Sequence, residues 1–123
     1  MKYIALVYYD ESKMKELSQV EWDALNRECI DCGESLRAQN HMIGGEPLLS
    51  TETATTLRVR NGKVDITDGP FAETKEQLAG FYLLDVRDLN EAIQAASKIP
   101  PARFGCIEIR PVRELQDENN IGY

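Results

Sequence analysis

Two segments of the chain are apolar on both of their alternating sets, and this restricts the folds open to it. Residues 2–9 (KYIALVYY) place Tyr3, Ala5, Val7 and Tyr9 on one side and Ile4, Leu6 and Tyr8 on the other; residues 80–86 (GFYLLDV) repeat the pattern. A strand of this kind is covered on both faces of its sheet. A helical pattern comes after each of these strands. Ser18 and Glu21 form a capping-box pair, and Trp22, Leu25, Cys29, Cys32 and Leu36 then recur at steps of three and four, which predicts an amphipathic helix running to about Gln39, with Asn40 as its stop. Asp88 with Glu91 opens a second helix that should turn Leu89, Ala92, Ile93, Ala96 and Ile99 inward, ended by Pro100-Pro101.

Between these units lies a hairpin. Residues 55–60 and 63–67 flank Asn61-Gly62, a dipeptide suited to a two-residue turn, and Leu57 and Val59 match Val64 and Ile66 across it. Residues 41–49 (HMIGGEPLL) read as a short strand with a bulge at Gly44-Gly45, and residues 105–112 (GCIEIRPV) as the last strand. The order is therefore β-α-β, hairpin, β-α-β. It predicts one ferredoxin-like α+β domain over residues 1–113, with both helices on one face of an antiparallel sheet and a polar tail, residues 114–123, loose on the surface. Two helices cover one face only. The apolar second face asks for a partner, and the sheet of a second copy is the simplest cover, giving a homodimer.

Composition narrows the partners. In 123 residues Asp and Glu outnumber Lys and Arg by 21 to 14, a net charge of −7, and no basic run exists. Nucleic acid and anionic membrane surfaces both require a basic face, so neither is expected. No leader or membrane-spanning stretch is readable, and the three cysteines are an odd number, which together suggest a cytoplasmic protein without disulfides.

The segment Asp68-Gly69-Pro70-Phe71-Ala72-Glu73-Thr74-Lys75-Glu76, with Gly80-Phe81-Tyr82 after it, resembles the signature of the DGPF-type, YCII-related proteins. The opening KYIALVYYDE, GGEPL at 44–48, ATTLRVRNGK at 54–63 and IEIRPV at 107–112 are similar to that family too, in register over residues 1–113. The resemblance implies a dimeric α+β barrel in which two ferredoxin-like sheets pack face to face. It implies no established activity. Members often look like neighbours or partners of extracytoplasmic-function sigma factors, and related branches carry a His/Asp pair proposed as an active site. Here Glu28 and Cys29 stand where that histidine would fall, and only Asp68 corresponds to the pair.

Asp68 is accordingly the candidate catalytic residue, as an acid, base or ligand anchor in the cleft between sheet and helices; the competing reading is a turn residue beside Gly69-Pro70. His41, Glu46, Phe71, Glu73, Lys75 and Tyr82 are the candidate binding residues around it, with Asp68 or Glu46 as orienting partner for His41. Tyr3, Tyr8, Tyr9 and Tyr82, with Arg58 and Arg110, could line a pocket for a small anionic or aromatic ligand, or form dimer core with a polar rim. Cys29 and Cys32 lie on the apolar stripe deep in a helix, which favours core packing over redox or zinc chemistry. No metal site and no cofactor motif is readable. The expected function is small-metabolite binding in a sheet/helix cleft near Asp68, with cofactor-independent acid/base chemistry open. The alternative is a non-enzymatic regulatory or accessory protein that partners an extracytoplasmic-function sigma factor system.

Overall fold

The computed structural model describes residues 1–115; most of the expected C-terminal tail lies outside them. The elements are β1 (Lys2–Tyr9), α1 (Glu11–Met14), α2 (Gln19–Ala38), β2 (Met42–Pro47), β3 (Thr55–Arg60), β4 (Lys63–Asp68), β5 (Gln77–Asp85), α3 (Leu89–Ala96) and β6 (Gly105–Pro111). Strands β2, β5, β1 and β6 form one sheet in that order, antiparallel throughout. Among the described residues β3 and β4 pair only with each other. The fold is α+β and ferredoxin-like, with the hairpin inserted between its two halves.

Local chemistry sets most boundaries. The capping box forms: Ser18 Oγ accepts from Glu21 N at 3.2 Å and the Glu21 carboxylate from Ser18 N at 3.0 Å. α2 stops where Asn40 takes a left-handed conformation, φ 61°, a position Asn tolerates. Asn61 and Gly62 both have positive φ, 52° and 75°, as a type I′ hairpin turn requires. The register of β2 on β5 shifts between Met42 and Gly44, so the bulge falls at Ile43 rather than at Gly44-Gly45, which pair regularly with Leu83 and Tyr82; a side chain on Gly45 would stand 2.5 Å from the Phe81 carbonyl oxygen, so the two strands approach there only because Gly45 has none.

The core lies on one face of the sheet. Tyr3, Ala5 and Val7 of β1 and Leu84 of β5 pack against Leu36 of α2 and against Ala92, Ala95, Ala96 and Ile99. The expected inward set of the second helix needs correcting. Leu89 and Ile93 are about half exposed, because α3 lies on the sheet through its alanines, which allow close approach and turn the larger side chains sideways. The opposite face carries Ile4, Leu6 and Tyr8 of β1, paired across the ladder with Leu83, Phe81 and Leu78 of β5. These side chains are partly exposed, and no helix of the described residues lies over them. α1 has no counterpart in the sequence pattern: it is one turn, capped by Asp10 and anchored by buried Met14 in a segment that reads as polar loop.

Candidate functional site

A cavity of about 720 Å³ opens between α2 and the β2–β5 side of the sheet. Its roof is the α2 stripe from Trp22 through Leu25, Cys29 and Gly33 to Arg37. Its floor is Val7 and Tyr9 of β1, Gly80 and Tyr82 of β5, and Met42 and Gly45 of β2. One end is closed by α1 and by the segment leaving β2, residues 48–50. The asymmetry of the two helices creates this space. α3 closes on the sheet through alanines, whereas α2 meets the core cluster through Leu36 and Cys32, leaving Leu25 and half-buried Trp22 and Cys29 above a gap.

Glu11 holds the closed end. Its carboxylate accepts from Thr51 N at 2.9 Å, Thr51 Oγ1 at 2.9 Å and Ser50 Oγ at 3.1 Å, while its own backbone N–H donates to Gln77 Oε1 at 2.8 Å. Lys15, one turn on, pairs with Glu52 at 2.7 Å. Together α1 and residues 50–52 form a polar clasp that fixes Leu48 and Leu49 as a wall.

The phenols and the thiol inside are held neutral. Burial pushes the Tyr82 phenol up to about 12, with the Cys29 and Cys32 thiols adding to the effect and the Arg37 charge opposing it. Burial, then Glu11 and Cys29, raises Tyr9. Burial, then Cys32 and Glu28, raises Cys29, so this thiol is the reverse of an activated nucleophile. The Glu11 carboxylate is saturated by hydroxyl and amide donors.

Of the residues expected at a site, Glu46 and Tyr82 line this cavity. Asp68, Phe71, Glu73 and Lys75 do not. Asp68 ends β4 opposite Thr55, exposed, and its carboxylate has no hydrogen-bond or ion-pair partner among the described residues. What the turn after it requires is Gly69, at φ 101°, whose N–H donates to Ala54 O at 2.8 Å and whose carbonyl accepts from Thr56 Oγ1 at 2.7 Å. Phe71 is 76% exposed. His41 also stands apart from the cavity. Its Nε2 lies 3.6 Å from Glu91 Oε1, a carboxylate that Arg87 also binds, and its Nδ1 is buried with no partner. His41 thus joins the turn after α2 to the start of α3, and neither Asp68 nor Glu46 orients it.

The profile of the YCII-related domain matches residues 1–116. The chain belongs to the YCII-related family. An uncharacterised protein of Rhizobium meliloti (strain 1021) is 37% identical over 114 residues, which cover 91% of this chain and 92% of that protein. In this YCII-related chain the side chains that shape the cavity are mostly ones the motifs do not mark. Trp22 and Arg37 belong to no signature, and although Glu11 closes the family-like opening segment, its contact with Thr51 joins residues 40 apart in sequence. Gly33 did carry a signal, since a glycine inside a helical stripe often marks a close approach. The structure puts the Arg37 guanidinium over it: a side chain on Gly33 would meet Arg37 Nη1 at 3.4 Å. Among the described residues no helix is long and apolar enough to cross a membrane.

Proposed function

We propose that this YCII-related protein binds a small, largely apolar molecule in the cleft between α2 and the β2–β5 side of the sheet, and does so as a cytoplasmic homodimer. The observation that carries the reading is the cavity itself, about 720 Å³ and lined mainly by apolar and aromatic side chains, a size and character typical of small-molecule sites. Acid/base chemistry draws less support, because the phenols of Tyr9 and Tyr82 and the thiol of Cys29 are all pushed toward their neutral forms. Dimerisation is supported by the uncovered row of Ile4, Leu6, Tyr8, Leu78, Phe81 and Leu83 on the far side of the sheet, which leaves the cleft free. The three unpaired thiols suit a reducing compartment.

A thermal-shift screen of small apolar and aromatic metabolites, on wild type and on Cys29→Phe, tests the binding. A ligand at a hundred times its dissociation constant adds about 2.7 kcal/mol, roughly 10 °C for a domain of this size. Hits lost when Phe fills the cleft support the reading; a screen without hits, or hits indifferent to the substitution, removes it. Light scattering that reports a monomer at micromolar concentration removes the dimer. One observation favours a second reading, an accessory protein that docks a protein partner such as a sigma-factor system component. The β3–β4 hairpin presents Leu57, Val59, Val64 and Ile66 on one face, each more than half exposed. Loss of partner binding on Val59→Lys with the thermal-shift hits intact would decide for it.

A further inference from the structure

The cleft follows α2. Its lining runs along α2 from Trp22 to Arg37, about 22 Å at 1.5 Å per residue. Its sides are apolar through most of that run, with Leu25 and Cys29 between the ends, Met42 beside Gly33, and Met14 and Leu49 near the Trp22 end. The charges are unevenly committed. Lys15 is taken by Glu52, and Glu11 by Ser50 and Thr51. Arg37 alone among the lining cations has no hydrogen-bond or ion-pair partner among the described residues. Its guanidinium lies back over Gly33, beside Met42, where any other residue would bring a side chain against it. A basic residue in the last turn of a helix needs no such placement to favour the helix dipole. Opposite it, Tyr82 offers a neutral phenol on the floor.

Resting on the binding function above, we propose that the ligand is an elongated amphiphilic acid, its single carboxylate paired with Arg37 and its apolar chain running along α2 toward Trp22. A planar guanidinium matches a carboxylate with two parallel hydrogen bonds, which a Lys could not give. The proposed ligand is limited to one negative charge. Glu34 and Glu46 line the same opening, are exposed, and have no cationic partner among the described residues, so a second anionic group on the ligand meets repulsion.

Trp22 is the single tryptophan of the chain and lines the cleft, so its fluorescence reports occupancy directly. The probes are dodecanoate, dodecanol and dodecyltrimethylammonium, titrated below their micellar concentrations at pH 8 against wild type and Arg37→Met. Met keeps an apolar stem at an exposed site, so the variant folds. Dodecanoate should bind wild type at least tenfold tighter than dodecanol, and Arg37→Met should remove that difference while leaving dodecanol unchanged. Equal binding of acid and alcohol, tightest binding of the cation, or an acid preference that survives Arg37→Met each overturns the proposal but leaves the cleft as a binding site. If no probe perturbs Trp22 while the metabolite screen still yields hits lost in Cys29→Phe, the chain-like acid is wrong and the cleft stands. If both fail, both readings fall.

Discussion

Glu11→Ala is the sharpest test of how the cavity is held open. The carboxylate accepts three hydrogen bonds from Ser50 and Thr51, at 2.9 to 3.1 Å, in a partly buried setting. Water can replace some of each bond, so the net worth of the set is about 2 kcal/mol rather than three times the value of a fully buried charged bond. If residues 48–52 detach locally, that energy appears as exchange rather than as melting. The Thr51 amide should then exchange with solvent roughly 30-fold faster, the equivalent of about 2 kcal/mol, while β1 and β5 amides keep their protection. If the segment unfolds only with the domain, the same energy lowers the melting temperature by about 8 °C. Hydrogen exchange resolved on peptides covering residues 46–54, run beside a melting curve, separates the two routes. An unchanged Thr51 amide together with an unchanged melting temperature would refute the clasp. Glu52→Ala is the control: it removes the Lys15 pair, which is exposed on both sides, and should do little to either readout.

The phenol of Tyr82, held up to about 12, predicts alkaline instability. Its pKa is raised on folding, so its stabilising contribution is complete below about pH 10 and is lost as the pH rises from there to about 12. Discounted for solvent access, that is about 1–2 kcal/mol, seen as a fall in the urea midpoint that Tyr82→Phe abolishes. Leu84 is fully buried on β5 within the core, and Leu84→Ala should cost about 3 kcal/mol by urea unfolding; a loss under about 1 kcal/mol would mean that the core collapses around the gap. Asp68→Asn should leave stability within about 0.5 kcal/mol and the Trp22 titrations unaltered; altered titrations would restore Asp68 to the site, and a loss of stability alone would mark it as a turn residue.

The parts of this fold legible in the sequence are those set by near neighbours. The Ser18–Glu21 box and the Asn61-Gly62 turn each depend on a few adjacent residues and are where the pattern puts them, and the bulge expected at Gly44-Gly45 falls one residue earlier, between Met42 and Gly44. What sequence could not locate depends on distant contacts. α1 exists because Met14 finds the core and Glu11 finds Thr51, and neither partner is visible from residues 11–14 alone. Leu89 and Ile93 obey the helical period yet stay half exposed, since period fixes a face but not how the helix lies on its sheet. The same limit applies to the site. Asp68 sits in the most recognisable motif of the chain, but that motif caps a hairpin that stands apart from the four-stranded sheet. Tyr82 and Glu46 line the cavity because β5 and β2 border it, which strand order decides and local sequence does not.

Gly33 tests whether the cavity is a defect of packing or something the chain maintains. It is buried in the interior of α2, where glycine is about 1 kcal/mol worse than alanine for the helix itself. A methyl group there would meet only Arg37 Nη1 at 3.4 Å and Met42 Sδ at 3.9 Å, both movable side-chain atoms rather than backbone. Nothing about the fold therefore demands glycine. Gly33→Ala should raise stability by about 0.5–1 kcal/mol in urea. It also places a methyl group in van der Waals contact with the guanidinium, so dodecanoate binding tests whether the bare glycine sets Arg37's placement, while dodecanol, which makes no use of that charge, is the control. A more stable variant with selectively poorer acid binding means that Gly33 serves the ligand at the expense of the helix. A destabilised variant would instead show that α2 needs the gap to lie on the sheet at all, and the cavity would then be a by-product of helix packing.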